Sequence, residues 1–196
     1  MQKRGDAVKK AMLSAASESF HEEGYRSASV DAIAQRAGVS KATVYSHFKS
    51  KEGLFRAVVE DLVSPILEHL PPPRPVDDVR EELIRFAETL SKFLLSPEKV
   101  EWDRMMVATA KRFPQLANNY FEAGPARGMS RLAAFLSAQH EAGSLTVTDP
   151  EFSTELLCGM LFGTRILKNL VCNQQTTLDR SRIEKVIDAF LKVHAP

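Results

Sequence analysis

"GVSKATVYSHFKSKEGLF", residues 38–55, is the stretch on which the reading of this chain turns. It holds three lysines, a histidine and a tyrosine around very few apolar anchors, and no Asp or Glu occurs between Asp31 and Glu52. Ser40 is placed to cap a helix beginning at Lys41. On that helix Val44 and Phe48, four apart, form one narrow apolar stripe. Lys41, Ala42, Thr43, Tyr45, Ser46 and His47 fill the remaining arc, so most of the helix faces outward. The outward set mixes a cation, hydroxyls and an imidazole, all able to donate to phosphate oxygens or base edges.

An isolated helix of this kind would be read as a solvated basic face. Its neighbours change the reading. The preceding segment carries Val30, Ile33, Ala34 and Ala37 at i, i+3, i+4 and i+7, with an N-cap expected near Ser27 and a stop at Gly38. Before it, a helix over about 6–23 turns Ala11, Leu13, Ala16 and Phe20 inward and is stopped by Gly24. After it, Ser50 can cap a helix through "KEGLFRAVVEDLVSPILEHL", which Pro65 is expected to kink or end early. Two short helices joined through a tight glycine turn have helix-turn-helix spacing, in which the first supports and the second enters the major groove.

Charge agrees in sign. Residues 1–60 carry ten Lys/Arg against seven Asp/Glu, while the remainder is net acidic, so the overall charge of +1 conceals an asymmetry. A chain of 196 residues at 44% hydrophobic has ordinary globular composition and can bury a core. No apolar run is long enough to span a membrane, and the basic start lacks the apolar stretch of a signal peptide. Cys158 and Cys172, fourteen apart in one expected helix, would lie roughly 21 Å apart, too far for an intrachain disulfide. The expectation is a cytoplasmic protein with two buried, reduced thiols.

Beyond "PPPRP" at 71–75, a stiff extended connector, the helical period continues. Val79, Leu83, Phe86, Leu90 and Phe93 mark one helix. "SPE" at 96–98 and "DPE" at 149–151 each place a cap, a proline at the first helical position and an acid. "GPARG" at 124–128 restarts the chain, and a last helix carries Ile183, Val186, Ile187, Phe190 and Leu191 on one side. The helix after "DPE" is apolar nearly all round from Leu156 to Gly163 and must be covered on two sides. Gly159 and Gly163, four apart, would let another helix approach. The fold class is therefore all-α, with domains expected at 1–62 and 63–196.

"SVDAIAQRAGVSKATVYSHFKSKEGLF" resembles the DNA-binding domain of TetR-family transcriptional regulators over about residues 6–62. "RFPQLANNYFEAGPARGMSRLAAFLSAQHEAGSL" followed by "DPEFSTELLCGMLFG" resembles the AefR-like branch of their regulatory domains. The resemblance implies a recognition helix at about 41–47, capped by Ser40, with Lys41 and Ala42 near base edges and Thr43, Tyr45 and His47 on phosphates. Ala42 stands where many relatives have glycine or proline. Lys51 would grip another phosphate with its charge and the helix N-terminus. The resemblance also implies a two-fold interface of the last two helices, here with Gly159, Gly163, Ile183, Val186, Ile187 and Phe190. It implies an inducer cavity as well, for which Phe93, Trp102, Met105, Met106, Phe121 and Phe162 are the expected walls and Arg165 a polar anchor or a salt-bridging residue. Aromatic and Met residues at helical spacing equally serve as core.

Five histidines without metal-ligand grouping, cysteines without zinc spacing and the lack of a phosphate loop or nucleophile elbow speak against an enzyme, a metal and a cofactor. The expected function is a homodimeric repressor, released from a near-palindromic operator by an apolar or amphipathic small molecule. An activator of the same family, or a helical sensor without DNA binding, stand as alternatives.

Overall fold

The computed structural model describes residues 2–172 and 174–196, and within them the chain is helical with no strand. In order the helices are α1 (Gln2–Ser27), α2 (Val30–Arg36), α3 (Lys41–Phe48), α4 (Lys51–Glu68), α5 (Val79–Leu94), α6 (Pro97–Ala110), α7 (Pro114–Ala123), α8 (Pro125–Glu141), α9 (Pro150–Cys172) and α10 (Arg180–Val193). None is long and apolar enough to cross a membrane.

Local chemistry accounts for most boundaries and corrects some expected ones. Gly24 breaks α1 with φ 75° and ψ 158°, a conformation open to glycine, but one more turn follows to Ser27. The cap of α2 is therefore Ser29, whose hydroxyl accepts from the Asp31 amide, and Ser27 is not the cap. Ser40 does cap α3, accepting from the Thr43 amide. Pro65 does not end α4, which continues to Glu68. The helix start at 97 and the restart at 124–128 in the sequence imply a single helix between them. Instead the amides of Arg112 and Phe113 both close onto the Thr109 carbonyl, and Pro114, with no amide to satisfy, opens a separate α7.

The chain forms two compact units. The first takes in residues 1–64 together with 101–124, and the second takes in 65–100 and 125–196. Residues 101–124, expected within a single regulatory domain, thus share the core of the N-terminal helices. The reason is aromatic packing. Phe20, Tyr25, Phe55, Trp102 and Phe113 form a chain of ring contacts with centroids 5.4–5.9 Å apart, a spacing that favours tilted and edge-to-face pairs. The Tyr120 hydroxyl donates to Asp103 at 2.7 Å and ties α7 to α6. Burial and this carboxylate hold the Tyr120 hydroxyl protonated far above its ordinary range.

In the second unit α5, α8, α9 and α10 share one core. Ile183, Val186, Ile187 and Phe190 are buried there among Leu83, Ile84, Leu157 and Leu161. These four were expected at an interface between copies. They are instead consumed by the chain's own core, because α10 needs its one apolar face to dock on α5 and α9. Arg180 reinforces the docking through Glu81 and Glu88 of α5. The proline connector is not a free spacer either. The fully buried Gln139 of α8 donates to the Arg74 carbonyl at 2.8 Å and accepts from the Val76 amide, while Arg131 donates to the Pro71 carbonyl.

Candidate nucleic-acid interface

The helix-turn-helix is built by two small devices. Gly38, at φ 67°, lets the chain reverse between α2 and α3. Between α3 and α4 the reversal is tighter. The Ser50 amide donates to the Phe48 carbonyl at 2.8 Å across Lys49, whose φ of 67° and ψ of −43° make a γ-turn of the strained hand. This drives the Phe48 carbonyl onto the first turn of α4, where a Cβ on Gly53 would lie 2.1 Å from the carbonyl oxygen. Only glycine fits. The Ser50 hydroxyl accepts from the Gly53 amide at 3.0 Å and closes the cap.

With Val44 and Phe48 buried in the first unit's core, Lys41, Ala42, Tyr45, Ser46 and His47 are exposed and Thr43 is half-buried. Their polar groups are partly engaged already. The hydroxyls of Ser40 and Thr43 share a hydrogen bond of 2.8 Å, and the Ser46 hydroxyl donates to the Thr43 carbonyl. Lys41 Nζ donates to Asp31 Oδ2 at 2.8 Å. The acid-free run of the sequence is thus not acid-free in space. The Asp31 carboxylate holds the Lys41 ammonium charged above its ordinary range.

Lys51 is turned back on the protein. Its ammonium lies 4.7 Å above the centre of the Tyr25 ring and donates to the Arg26 carbonyl at 3.3 Å. Burial lowers its pKa, which makes release of its proton easier than for a solvated lysine. Beside it the helix N-terminus lowers the pKa of Glu52, since backbone N–H donation favours the carboxylate. On α2, Arg36 is spent on Glu22 and Glu18 of α1. Asp31, Lys49 and Gly53 are site residues that reading the sequence did not single out. Gly53 had a signal in the "SKEG" cap, whereas the approach of Asp31 to Lys41 is a product of packing.

The residues expected around an inducer are divided between the units. Trp102, Met105, Met106 and Phe121 belong to the first, and Phe93, Phe162 and Arg165 to the second. Phe121 is 53% exposed. Met106 is buried in the first core and Phe162 in the second. Phe93 is half-buried beneath the Lys99 ammonium, 5.9 Å from its ring centre. Arg165 donates to the Leu161 and Thr177 carbonyls, so it tethers the end of its own helix. Trp102, 1% exposed, packs on Phe55, and its indole N–H is buried without a hydrogen-bond partner. Trp102 and Met105 do border a hollow of about 330 Å³ in the first unit, together with His21 of α1 and Glu101, Arg104 and Ala108 of α6.

On α9, Gly159 and Gly163 are exposed with open space where a Cβ would stand. Both cysteines are free. Burial pushes the Cys158 thiol up to about 11, but Cys172, expected to be buried, is exposed at the helix end.

An outward polar helix behind a glycine turn, on a three-helix scaffold within an all-helical chain, defines a helix-turn-helix protein of the transcription-regulator class. Residues 12–58 match the model of bacterial regulatory proteins of the TetR family, and residues 81–195 match that of the AefR-like transcriptional repressor C-terminal domain. The chain belongs to the TetR family. Among solved structures it is similar to the flavonoid-responsive regulator FrrA, at 32% identity and a TM-score of 0.81 over 96% of this chain and 97% of that one. A TetR-family regulator from Mesorhizobium loti MAFF303099 superposes with a TM-score of 0.81 at 27% identity, covering 97% of this chain and 98% of that one. The transcriptional activator FasR of Mycolicibacterium smegmatis is 42% identical over 87 residues, which span 42% of this chain but only 38% of FasR.

Proposed function

We propose that the chain is a homodimeric repressor that binds a near-palindromic operator and is released from it by a small molecule. The observation that carries the reading is the outward arc of α3, whose exposed Lys41, Ala42, Tyr45 and His47 have no role in the chain's own core. Lys41 and Ala42 read base edges, while Thr43, Tyr45, His47 and Lys51 hold phosphates. Lys51 does so by leaving the Arg26 carbonyl for a stronger, charged acceptor. A second copy docks through the outward side of α9, where Phe152, Met160, Leu167 and Val171 are exposed around Gly159 and Gly163. Two recognition helices then meet successive major grooves about 34–36 Å apart. The similarity to FasR, a named activator, supports activation as the second reading. The protein acts in the cytoplasm.

The inducer site that fits best is the hollow at Trp102, because its size lies at the lower end of small-molecule pockets and His21 brings α1 to its wall. A ligand there presses directly on the helix that supports the helix-turn-helix. It lowers DNA affinity only by binding the DNA-free form more tightly, and complete reversal of a 99:1 population takes about 5.5 kcal/mol of differential affinity. Since FrrA is flavonoid-responsive, planar polyphenols are the first ligands to titrate.

The test is selection of duplexes from random DNA, followed by titration of Trp102 fluorescence, Trp102 being the single tryptophan. Recovery of inverted-repeat sites, and ligand binding weakened by saturating operator, supports the reading. Reciprocity requires that weakening. A protein that enriches no sequence, or a ligand bound equally with and without operator, refutes the corresponding half.

A further inference from the structure

Asp31 and Lys41 stand ten residues apart on the two helices of the helix-turn-helix, and their side chains meet at 2.8 Å on its outward side. The two are 66% and 50% exposed, so the contact contributes little to stability. Its consequence is electrostatic. The other nearby cations have different partners: Arg36 is held by Glu18 and Glu22, Lys51 by Arg26 and Tyr25, and Lys49 by the Ser46 carbonyl. The Asp31 backbone is itself fixed, because its amide donates to the Ser29 cap.

We infer that Asp31 is a specificity-determining residue of the DNA-binding face: it serves Lys41 as an internal counter-ion and yields it to a guanine edge but not to a passing phosphate. The inference rests on the DNA-binding role proposed above. A lysine that already holds a carboxylate gains little by exchanging it for one phosphate oxygen, and the exchange leaves Asp31 facing the polyanion. Such a lysine neutralises no phosphate and so releases no cation condensed on the DNA, and it drops out of the salt dependence of non-specific binding. Guanine offers two acceptors, O6 and N7, on one edge, which is the arrangement able to draw the ammonium away. Guanine repays the release of Lys41 with two acceptors where a phosphate repays it with one oxygen, so Asp31 lowers affinity for arbitrary sequence more than affinity for the cognate site. It is a positioning residue, acting through Lys41.

The experiment measures binding of the full chain to a duplex selected by the wild type and to an unrelated duplex, between 50 and 200 mM salt. Asp31→Asn removes the charge and keeps the Ser29 cap. It should tighten binding to the unrelated duplex by about tenfold per dimer and steepen the log–log salt slope by about 0.9 for each lysine released. The ratio of selected to unrelated affinity should fall accordingly. Asp31→Glu, which retains the charge, should restore the wild-type slope. In a Lys41→Gln background Asp31→Asn should change neither slope nor ratio, since the coupling runs through that lysine. An Asp31→Asn protein with wild-type slope and ratio overturns the inference while leaving DNA binding standing. The same gain in the Lys41→Gln background also overturns it, by showing mere loss of bulk negative charge. A wild type that binds no duplex overturns the DNA-binding role and this inference together.

Discussion

Helices α3 and α9 each leave a wide face outside the chain's own cores, and the two faces are chemical opposites. That of α3 is built from Lys41, Ala42, Tyr45, Ser46 and His47, and its hydroxyls and ammonium are satisfied by near neighbours or water. That of α9 shows Phe152, Met160, Leu167 and Val171, at 61%, 37%, 60% and 73% exposure. Leaving apolar area in water costs about 25 cal/mol per Å², so the α9 face favours permanent cover. The α3 face carries no such cost and can wait for a ligand that comes and goes. The composition of the two exposed helix faces thus separates one that favours standing cover from one that does not.

The largest effect is expected at the support of α3. Gly53→Ala sets a methyl against the Phe48 carbonyl and must displace backbone, since the turn at Lys49 is already strained. We expect a loss of at least about 3 kcal/mol of stability, read by urea unfolding. Gly159→Ala on α9 meets only open space within the chain, and the single chain, unfolded in urea at concentrations too low for dimers, should be as stable as the wild type or more so. Equal behaviour of the two variants would mean that the α3–α4 turn is not built as described.

The α9 face is tested by Leu167→Glu. Its exposure within the single chain predicts an unchanged fold, whereas a charge buried at a dimer interface should weaken association by at least about 2 kcal/mol. Light scattering at micromolar concentration should show dimers for the wild type and monomers for the variant. A monomeric wild type would leave this apolar face without the partner proposed for it.

On the α3 side, Lys51→Ala should weaken binding to every duplex alike by about 1.5 kcal/mol, as loss of a charged hydrogen bond does. Lys41→Ala should instead relax preference at particular base pairs. Site selection repeated with each variant separates the roles, and a changed consensus from Lys51→Ala would reverse them. The smallest expected effect belongs to the scaffold. Ser29→Ala should cost about 1 kcal/mol through loss of the α2 cap, and Ser27→Ala close to nothing. Thermal unfolding of the pair decides between the two serines.

Much of this molecule is written in short-range patterns. The narrow stripe of Val44 and Phe48, the Ser40 cap, the Gly38 turn and the proline starts at 97 and 150 each depend on residues within one or two helical turns. Such terms act whatever the rest of the chain does, which is why α3 and most boundaries were legible. The Ser27 cap failed for the same kind of reason at finer scale. A glycine break allowed one extra turn that a count of residues does not reveal.

The all-helical class, the helix-turn-helix and the polarity of each exposed face follow from helical period and capping, which are local. Which apolar face meets which is settled by packing between distant helices. The stripe of Ile183, Val186, Ile187 and Phe190 has the same composition whether it docks on its own α5 and α9 or on a second copy, and only packing assigned it to the core. Packing likewise drew residues 101–124 to the aromatic core of the N-terminal helices and brought Asp31 to Lys41. Apolar burial is non-directional and carries no address in the sequence, and an ion pair between two helices exists only once their crossing is set.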